Sequence, residues 1–507
     1  MRSVKPYGVA ALAGVLALAG CTPGPKYQRP SAPAPPEFKE QPPADFKEAQ
    51  GWKKAQPSDG QLKGKWWEIY NDPDLDALEE QVAINNQNVL QAEAQYRQAK
   101  TAVATARAGL YPTVSAAPAI TESRSVAGSS ATAASAASGL RTFYSLPFSA
   151  SWEPDLWGNI RRGVTAAVAQ AQVSAADLEN ARLLYQSELA QDYFTLHGLD
   201  GDIDLLTRTA KSYAEYLELT RNRFAGGVAS DLDVAQAESQ LYAAQTELVD
   251  FGVERAQMEH AIAVLTGKPP AELSIGAKLL QKTPPPVPIE LPSVLLERRP
   301  DIAANERLAA AANEQIGIAK AAFFPDLTLA ATAGFQASRI TTWLSWPSRF
   351  FSAGPTLAET IFDAGRRHAQ VMQTLAAYDG TVAAYRQSVL TAFQQVEDSL
   401  STLRVLAEES VVADQSVKSA DRALQVSTAQ YKAGTTAYLT VLTAQATALA
   451  AERTQVDLLA RRLEASVQLV VNLGGGWDTS QLPTRQDVIK SATAPAPKTA
   501  AAPAKTQ

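Results

Sequence analysis

Two stretches of this sequence share one pattern: FAGGVASDLDVAQAE at 224–238 and YKAGTTAYLTVLTAQ at 431–445. They align without a gap at an offset of 207, and each has an aromatic residue followed closely by glycine. Because glycine adopts a positive φ at little cost, the pattern predicts a sharp turn between two helices, made twice by one chain. The predicted tip-turn glycines are Gly226, Gly227 and Gly434.

Long helices are predicted on both sides of each turn. No proline occurs between Trp157 and Phe224, and a helix of that length would extend about 100 Å. A second long helix is predicted from Gly365 to Ala433. After the turns, return helices run to Gly267 and Asn472 with apolar residues every seven positions, which indicates coiled helical hairpins. The repeat in the second copy is Leu442, Leu449, Val456, Leu463 and Val470.

Shorter stretches between the helices alternate apolar and polar residues, as strands with one apolar face do. The clearest are 144–152 and 327–335, with weaker partners near 113–123 and 351–360. Polar linkers at 126–139 and 338–348 make each pair a β-hairpin. Each half of the chain therefore has the order helix, strand, loop, strand, long helix, turn, return helix, with the first helices at Pro73–Gly109 and Asp301–Ala322.

The N-terminus is typical of a bacterial lipoprotein signal peptide. Two basic residues precede an apolar run over 9–20 that is too short to span a bilayer. The run ends in LAGC at 18–21, and Cys21 is the only cysteine in the chain. We therefore predict a signal peptide over 1–20 and lipid attachment at Cys21. A chance cysteine after an ordinary signal peptide is the alternative.

The predicted domains follow from these segments. They are a signal peptide 1–20, a lipid-anchored lead and equatorial segment 21–72, a first repeat 73–268, an equatorial linker 269–299, a second repeat 300–472, a C-terminal equatorial segment 473–490 and a disordered tail 491–507.

Four strands cannot close a barrel, and an open sheet would leave unpaired edges. Three copies would supply twelve strands, enough to enclose a lumen. The predicted fold class is mostly α with a small β part: a long coiled α-helical barrel plus a transmembrane β-barrel, four strands per chain and twelve in a trimer, with two internal repeats. A soluble sheet packed against helices is the alternative.

Two further motifs accompany this layout: LPSVLLERRPDI at 291–302 and LGGGW at 473–477. With the lipoprotein signal, they make the chain resemble TolC-type outer-membrane efflux proteins of the NodT-like lipoprotein branch. The resemblance covers nearly the whole mature chain except its tail. It implies a homotrimer in outer-membrane lipid, a tunnel through the periplasm, and docking to a periplasmic adaptor (membrane fusion) protein and an inner-membrane RND-type pump. It also places Trp66-Trp67 and the segments near 270–300 and 473–490 in an equatorial belt.

In that family the hairpin tips constrict the resting pore at the periplasmic end. Asp233 and Tyr431 match gate positions of the family. The Arg and acidic residues of the family's second tip are replaced here by Thr436, Thr440 and Thr443, which disfavours a salt-bridge gate and leaves hydrogen bonding and steric closure. Asp231 and Asp233 would form acidic rings in a threefold assembly; helix capping with Ser230 is the alternative. The predicted entrance and gate residues are Asp231, Asp233, Tyr431, Thr436 and Thr440.

The sequence offers little for catalysis or metal binding. His197, His260 and His368 lack metal-ligand spacing, and no phosphate-binding loop occurs. GLDGDID at 198–204 lacks the remaining ligands of a calcium loop and lies inside a predicted helix. We predict no catalytic residue, no metal and no cofactor beyond the lipid on Cys21. The net charge of −6 favours no nucleic-acid partner.

Paired arginines follow the strands in both halves. They are predicted either as lumen charges or as solvated residues at helix starts, and they are Arg161, Arg162, Arg366 and Arg367.

The predicted function is a passive trimeric outer-membrane duct of a tripartite efflux pump. It would export small molecules such as drugs, toxic compounds or metal ions. The alternative is a structural or adaptor-like coiled-coil lipoprotein of the periplasm that forms no pore.

Overall fold

The computed structural model describes residues 23–32, 34–40, 64–124, 140–280, 283–287 and 297–493. The predicted signal peptide, Cys21, the polar linker at 126–139 and the tail from 494 lie outside these residues. Among the described residues, none of the helices is both long enough and apolar enough to cross a membrane.

The chain has two long helices, each with a shorter antiparallel return helix. Within the described residues, the helices in chain order are α1 Pro73–Asn85, α2 Gln87–Ala108, α3 Asn159–Ala225, α4 Asp231–Leu265, α5 Pro300–Ala321, α6 Arg366–Lys432, α7 Tyr438–Asn472 and α8 Arg485–Thr493. Both long helices, α3 and α6, have 67 residues and so extend about 100 Å. α8 reaches Thr493, so residues 491–493, which the sequence predicts as part of a disordered tail, are helical.

The prediction of a single helix from Pro73 to Gly109 is wrong. The structure has two helices there, α1 and α2, which are separated at Asn86. The Asn86 side chain accepts hydrogen bonds from the backbone N–H groups of Asn88 and Val89, at 3.0 and 3.2 Å. Its amide nitrogen donates to the Leu265 carbonyl at 2.9 Å. Asn86 therefore caps α2 and joins it to the end of α4.

The stretch at 198–204 lies inside α3. A Cβ on Gly201 would lie 2.8 Å from a methyl carbon of Val456 on α7, and one on Gly198 would lie 3.0 Å from the Ala460 Cβ. The glycines therefore let two helices approach closely. Asp200, the central acid of this stretch, is bound to His197 at 2.8 Å and to Arg255 at 2.6 Å.

One antiparallel sheet contains all the described strands: β1 Thr113–Ala116, β2 Ala119–Arg124, β3 Leu140–Trp152, β4 Asp326–Ala337 and β5 Arg349–Ala358. Both β1 and β2 pair with β3, so they are two parts of one strand that is interrupted at Ala117 and Pro118. Proline lacks the N–H group that a ladder needs. The sheet therefore has four strand positions, with β5 at one edge and β1–β2 at the other.

Side chains alternate in character across the sheet. Phe148, Ala333 and Phe351 form one row, and Phe351 is 87% exposed. The next row is Ser149, Thr332 and Ser352, and the first two hydroxyl groups lie 3.3 Å apart. One face of the sheet is therefore apolar and open, and the other is polar. The linker predicted at 338–348 contains two short 3-10 turns, Ile340–Thr342 and Trp346–Ser348.

The largest buried core lies at the middle of the helical part. Trp66, Trp67 and Tyr70 enter it from a 3-10 turn and pack with residues of α1, α3, α6 and α7. The two signature motifs meet beside it, where Arg299 Nη1 donates to the Asn472 carbonyl at 3.1 Å. Gly474 has a φ of +100°, and a Cβ there would overlap the Arg298 carbonyl. Pro300 and Asp301 begin α5, as the sequence predicts.

Candidate functional site at the helical hairpin tips

The first hairpin turns at residues 226–230, between α3 and α4. The Val228 N–H bonds back to the Arg223 carbonyl at 2.9 Å, closing the end of α3. Gly227 has a φ of +72°, but Gly226 has a φ of −80° that any residue can adopt. Gly226 was predicted as a turn glycine, yet the turn does not need glycine there. The aligned residue of the second tip, Ala433, has a φ of −77°.

The second hairpin closes in the same way. The Thr435 N–H bonds to the Gln430 carbonyl at 3.0 Å, and Gly434 has a φ of +75°. Gly227 and Gly434 are therefore equivalent, each holding the left-handed conformation that reverses the chain.

The two tips begin their return helices differently. In the first, the Ser230 N–H donates to the Asp233 carboxylate at 2.9 Å, and the Asp233 N–H donates to the Ser230 hydroxyl at 3.2 Å. This is a capping box, so Asp233 has the helix-capping role that the sequence offers as the alternative to a gate role. Asp231, in the same turn, is exposed. At the second tip Ala437 gives no side-chain cap, and Thr436 donates to the Thr440 hydroxyl at 3.1 Å.

Tyrosine takes the place of an acid at the second tip for a packing reason. Tyr438 is 2% exposed, and its ring lies 5.4 Å from that of Tyr431, which is 4% exposed. Both belong to a buried cluster with Tyr213 and Leu217 of α3 and Leu241 of α4. Burial raises the pKa of Tyr438 to about 12, with Tyr431 contributing next. The aromatic pair thus joins the second tip to the first.

Arg223, in the last turn of α3, crosses between the hairpins. Its Nη1 donates to the Tyr431 carbonyl at 2.8 Å and to the Lys432 carbonyl at 3.3 Å. Its guanidinium also lies 4.6 Å from the centre of the Tyr431 ring. A cation at the C-terminal end of α6 offsets the partial negative charge of that helix end.

The sequence did not predict Arg223. Its only local signal is a basic residue in the last turn of a helix, which is common, and the aligned residue of the second copy is Gln430. The structure brings only some of the predicted entrance and gate residues into contact. Tyr431 packs at the junction of the hairpins, Asp233 caps α4, Asp231 is exposed, and Thr436 and Thr440 contact each other.

The outermost surface of both tips carries exposed apolar side chains. Phe224, Val228 and Leu232 on the first tip are 46, 68 and 65% exposed, and Leu439 on the second is 57% exposed. No cluster of three or more potential metal ligands occurs among the described residues, here or elsewhere.

Comparison with known proteins identifies the family. The sequence profile described as outer membrane efflux protein matches residues 78–268 and 291–475, which together are most of the chain. The chain is 31% identical to the pyoverdine export outer membrane protein OpmQ of Pseudomonas aeruginosa over 82% of its own length and 88% of that protein. It is 30% identical to the outer membrane protein OprJ of the same species, over 94 and 97%.

A solved structure agrees with these relatives. The outer-membrane channel OprN is 28% identical and superposes with a TM-score of 0.81, covering 90% of this chain and all of that one. The mostly helical fold with a small sheet is thus that of TolC-like outer-membrane channels. The chain belongs to the outer membrane efflux protein family, and it is the outer-membrane channel component of an efflux system.

Proposed function

We propose that three copies of this chain form a passive duct, which a periplasmic adaptor protein and an inner-membrane RND-type pump open and load. The observation that carries the proposal is the sheet, which ends in an exposed edge at β1–β2 and another at β5. Such edges are unsuited to lipid unless another strand pairs with them. Three sheets joined edge to edge give twelve strand positions and no free edge.

The two faces of the sheet fit this arrangement. The row of Phe148, Ala333 and Phe351 would face lipid, and the row of Ser149, Thr332 and Ser352 would face the lumen. The β4 strand of 12 residues is about 40 Å long, which spans an apolar band of about 25 Å when tilted by 45°. Lipid on Cys21 would add a second attachment to the outer membrane.

The tips supply the entrance. Arg223 and the Tyr431–Tyr438 pair hold the two hairpins of one copy together, and six tips would surround the mouth of a trimer. The apolar side chains exposed on the tips suit a protein partner, because exposed apolar patches mark interaction sites. The cargo belongs to the class of small molecules: one relative's name refers to pyoverdine export and another's to toluene efflux. The chain itself would carry out no chemistry.

Engineered cysteines test the edge-to-edge assembly. Cys21 is the only natural cysteine and would carry lipid, so a thiol placed at Ser352 in β5 is free to react. A second thiol is then moved one position at a time along 113–124. At one or more positions, oxidation should link up to three chains on a denaturing gel. With the second thiol at Ser149 in the central strand β3, no such product should form. Absence of any interchain product along the whole scan would contradict the proposal.

A further inference from the structure

A basic cavity lies where α3 begins, just beyond the end of the sheet. It has a volume of about 320 Å³ and is lined by Pro25, Tyr27 and Glu314 among others, and by four cationic side chains: Lys26, Arg161, Arg162 and Arg485. These come from the N-terminal lead, α3 and α8, so three separate parts of the chain bring positive charge to one place. Glu314 is the one acidic residue among its described lining.

Two of the four cations have acidic partners. Arg161 Nε bonds to Asp155 at 3.0 Å, and Arg162 Nη1 bonds to Glu314 at 2.8 Å. Arg161 is exposed at the start of α3, as the solvated alternative predicts, whereas Arg162 is buried. Within the part of the chain that the structure describes, Lys26 and Arg485 have no carboxylate partner, and both are exposed at the rim. The cavity therefore has an excess of positive charge.

The cavity wall is built around Arg162, which is 9% exposed and whose Nε has no hydrogen-bond partner among the described residues. Its side chain lies against two glycines, Gly24 in the lead and Gly317 in α5, and a Cβ on Gly317 would overlap it. Gly24 has a φ of +115°, and a Cβ there would lie 2.6 Å from the Gly317 Cα. The close fit at Gly24 fixes the course of the lead and so the position of Lys26 at the rim.

The backbone N–H groups at the start of α3 are not free to bind an anion in the cavity. The backbone N–H groups of Ile160 and Arg161 already donate to the Asp155 carboxylate, at 3.1 and 2.8 Å. Any anion in the cavity would therefore be held by side-chain cations.

The position of the cavity indicates what the anion is. α3 begins at Asn159, seven residues after β3 ends at Trp152. In the connection between them, the Trp157 ring stacks on the Phe324 ring with a centroid distance of 4.7 Å. Aromatic side chains at the end of a membrane-spanning sheet mark the level of the lipid headgroups. Pro25, the first residue of the lead to line the cavity, lies four residues after Cys21, the predicted lipid attachment.

We infer that this cavity binds the phosphate headgroup of an anionic phospholipid, with Lys26 and Arg485 contacting the phosphate and Arg161 and Arg162 forming the basic floor. The inference rests on the proposed insertion of the sheet in the outer membrane, and it adds a lipid site beside the covalent anchor. A bound phospholipid would hold the lead and α8 against the start of α3.

The test uses the full-length protein purified in detergent and mixed with phosphatidylglycerol or phosphatidylcholine, followed by native mass spectrometry of the lipid retained. The wild type should retain phosphatidylglycerol in preference. The double variant Lys26→Gln, Arg485→Gln should bind it about 30-fold more weakly, from roughly fivefold for each cation near a lipid surface. The matched control Lys418→Gln, Arg422→Gln removes two exposed cations from α6, far from the sheet, and should bind as the wild type does.

Two comparisons make the result decisive. A Gly24→Ala variant keeps every charge but distorts the lead, and it too should lose lipid. Inorganic phosphate should compete only weakly; competition as strong as that of the phospholipid would assign the site to free phosphate and overturn the lipid source. No preference in the wild type, or equal losses in both double variants, would overturn the site itself. Ion conductance of the Lys26→Gln, Arg485→Gln variant, measured separately, should be unchanged, so that failure of the duct and failure of the lipid site are distinguishable.

Discussion

Replacing Arg223 by glutamine tests whether the two hairpins of one copy hold each other in the closed state. The change removes the hydrogen bonds of Nη1 to the carbonyls of Tyr431 and Lys432 and the contact with the Tyr431 ring. A hydrogen bond from a charged donor contributes about 1.5–3 kcal/mol, and a cation–π contact at an exposed site about 0.5–1 kcal/mol. Because Arg223 is only half-buried, we expect about 2 kcal/mol per copy, or about a 30-fold shift toward the open state.

The assay is the conductance of purified protein in planar lipid bilayers without partner proteins. Arg223→Gln should open more often at rest than the wild type. Arg221→Gln is the matched control. Arg221 bonds to Glu238 at 2.6 Å within the first hairpin, so its substitution removes the same charge but no contact between the two hairpins. It should behave as the wild type does.

Two results would refute this reasoning. Equal leakage from both variants would show that charge near the mouth, rather than the bond between hairpins, controls opening. A wild-type conductance for Arg223→Gln, in protein of normal oligomeric mass, would show that the contact does not restrain the tips.

Four further predictions concern other groups. The Tyr431 hydroxyl is buried without a hydrogen-bond partner among the described residues. Tyr431→Phe should therefore leave the free energy of unfolding unchanged or raise it by up to about 1 kcal/mol, whereas Tyr431→Ala should lower it by about 3–4 kcal/mol. A clear loss of stability in the Phe variant would contradict this. Asp233→Ala should destabilise the start of α4 by about 1 kcal/mol, because it removes the capping box, and Asp231→Ala should not. If Asp231 lines the mouth of the duct, Asp231→Ala should lower the preference of the channel for cations at low salt. Cys21→Ala should abolish incorporation of labelled palmitate, and continued labelling would disprove the lipid assignment. Burial, with Glu188 and Glu464 nearby, raises the pKa of Asp192 to about 6. Because this pKa lies above the unfolded value of about 3.9, the folded state binds the proton more tightly, and stability should rise as the pH falls from about 6 toward 4. Asp192→Asn should remove that rise and stabilise the protein above pH 7 by about 1 kcal/mol after allowance for partial exposure; an unaltered pH profile of thermal unfolding would contradict it.

The helical framework could be predicted because its signals are local. The second long helix was expected between Gly365 and Ala433 and occupies Arg366–Lys432, since glycine marks its start and its end. The strands could be predicted equally well, because the alternation of apolar and polar residues along 144–152 and 327–335 reflects one apolar and one polar face.

The features that were missed depend on contacts between distant residues. Asn86 breaks the first helix and also bonds to the Leu265 carbonyl, 179 residues away. Arg223 reaches a carbonyl 208 residues away in the other hairpin. Nothing near either residue in the sequence specifies those partners. The same holds for Gly317, whose need for glycine is apparent only once Arg162 lies against it.

The central claim is that this chain forms a conducting duct through the outer membrane, and single-channel recording tests it most directly. Purified wild-type protein added to a planar bilayer should insert and produce discrete ion-conducting steps. Those steps should become more frequent in the Arg223→Gln variant. Protein that inserts with its sheet in the bilayer yet passes no ions, in the wild type and in the variant, would contradict the account.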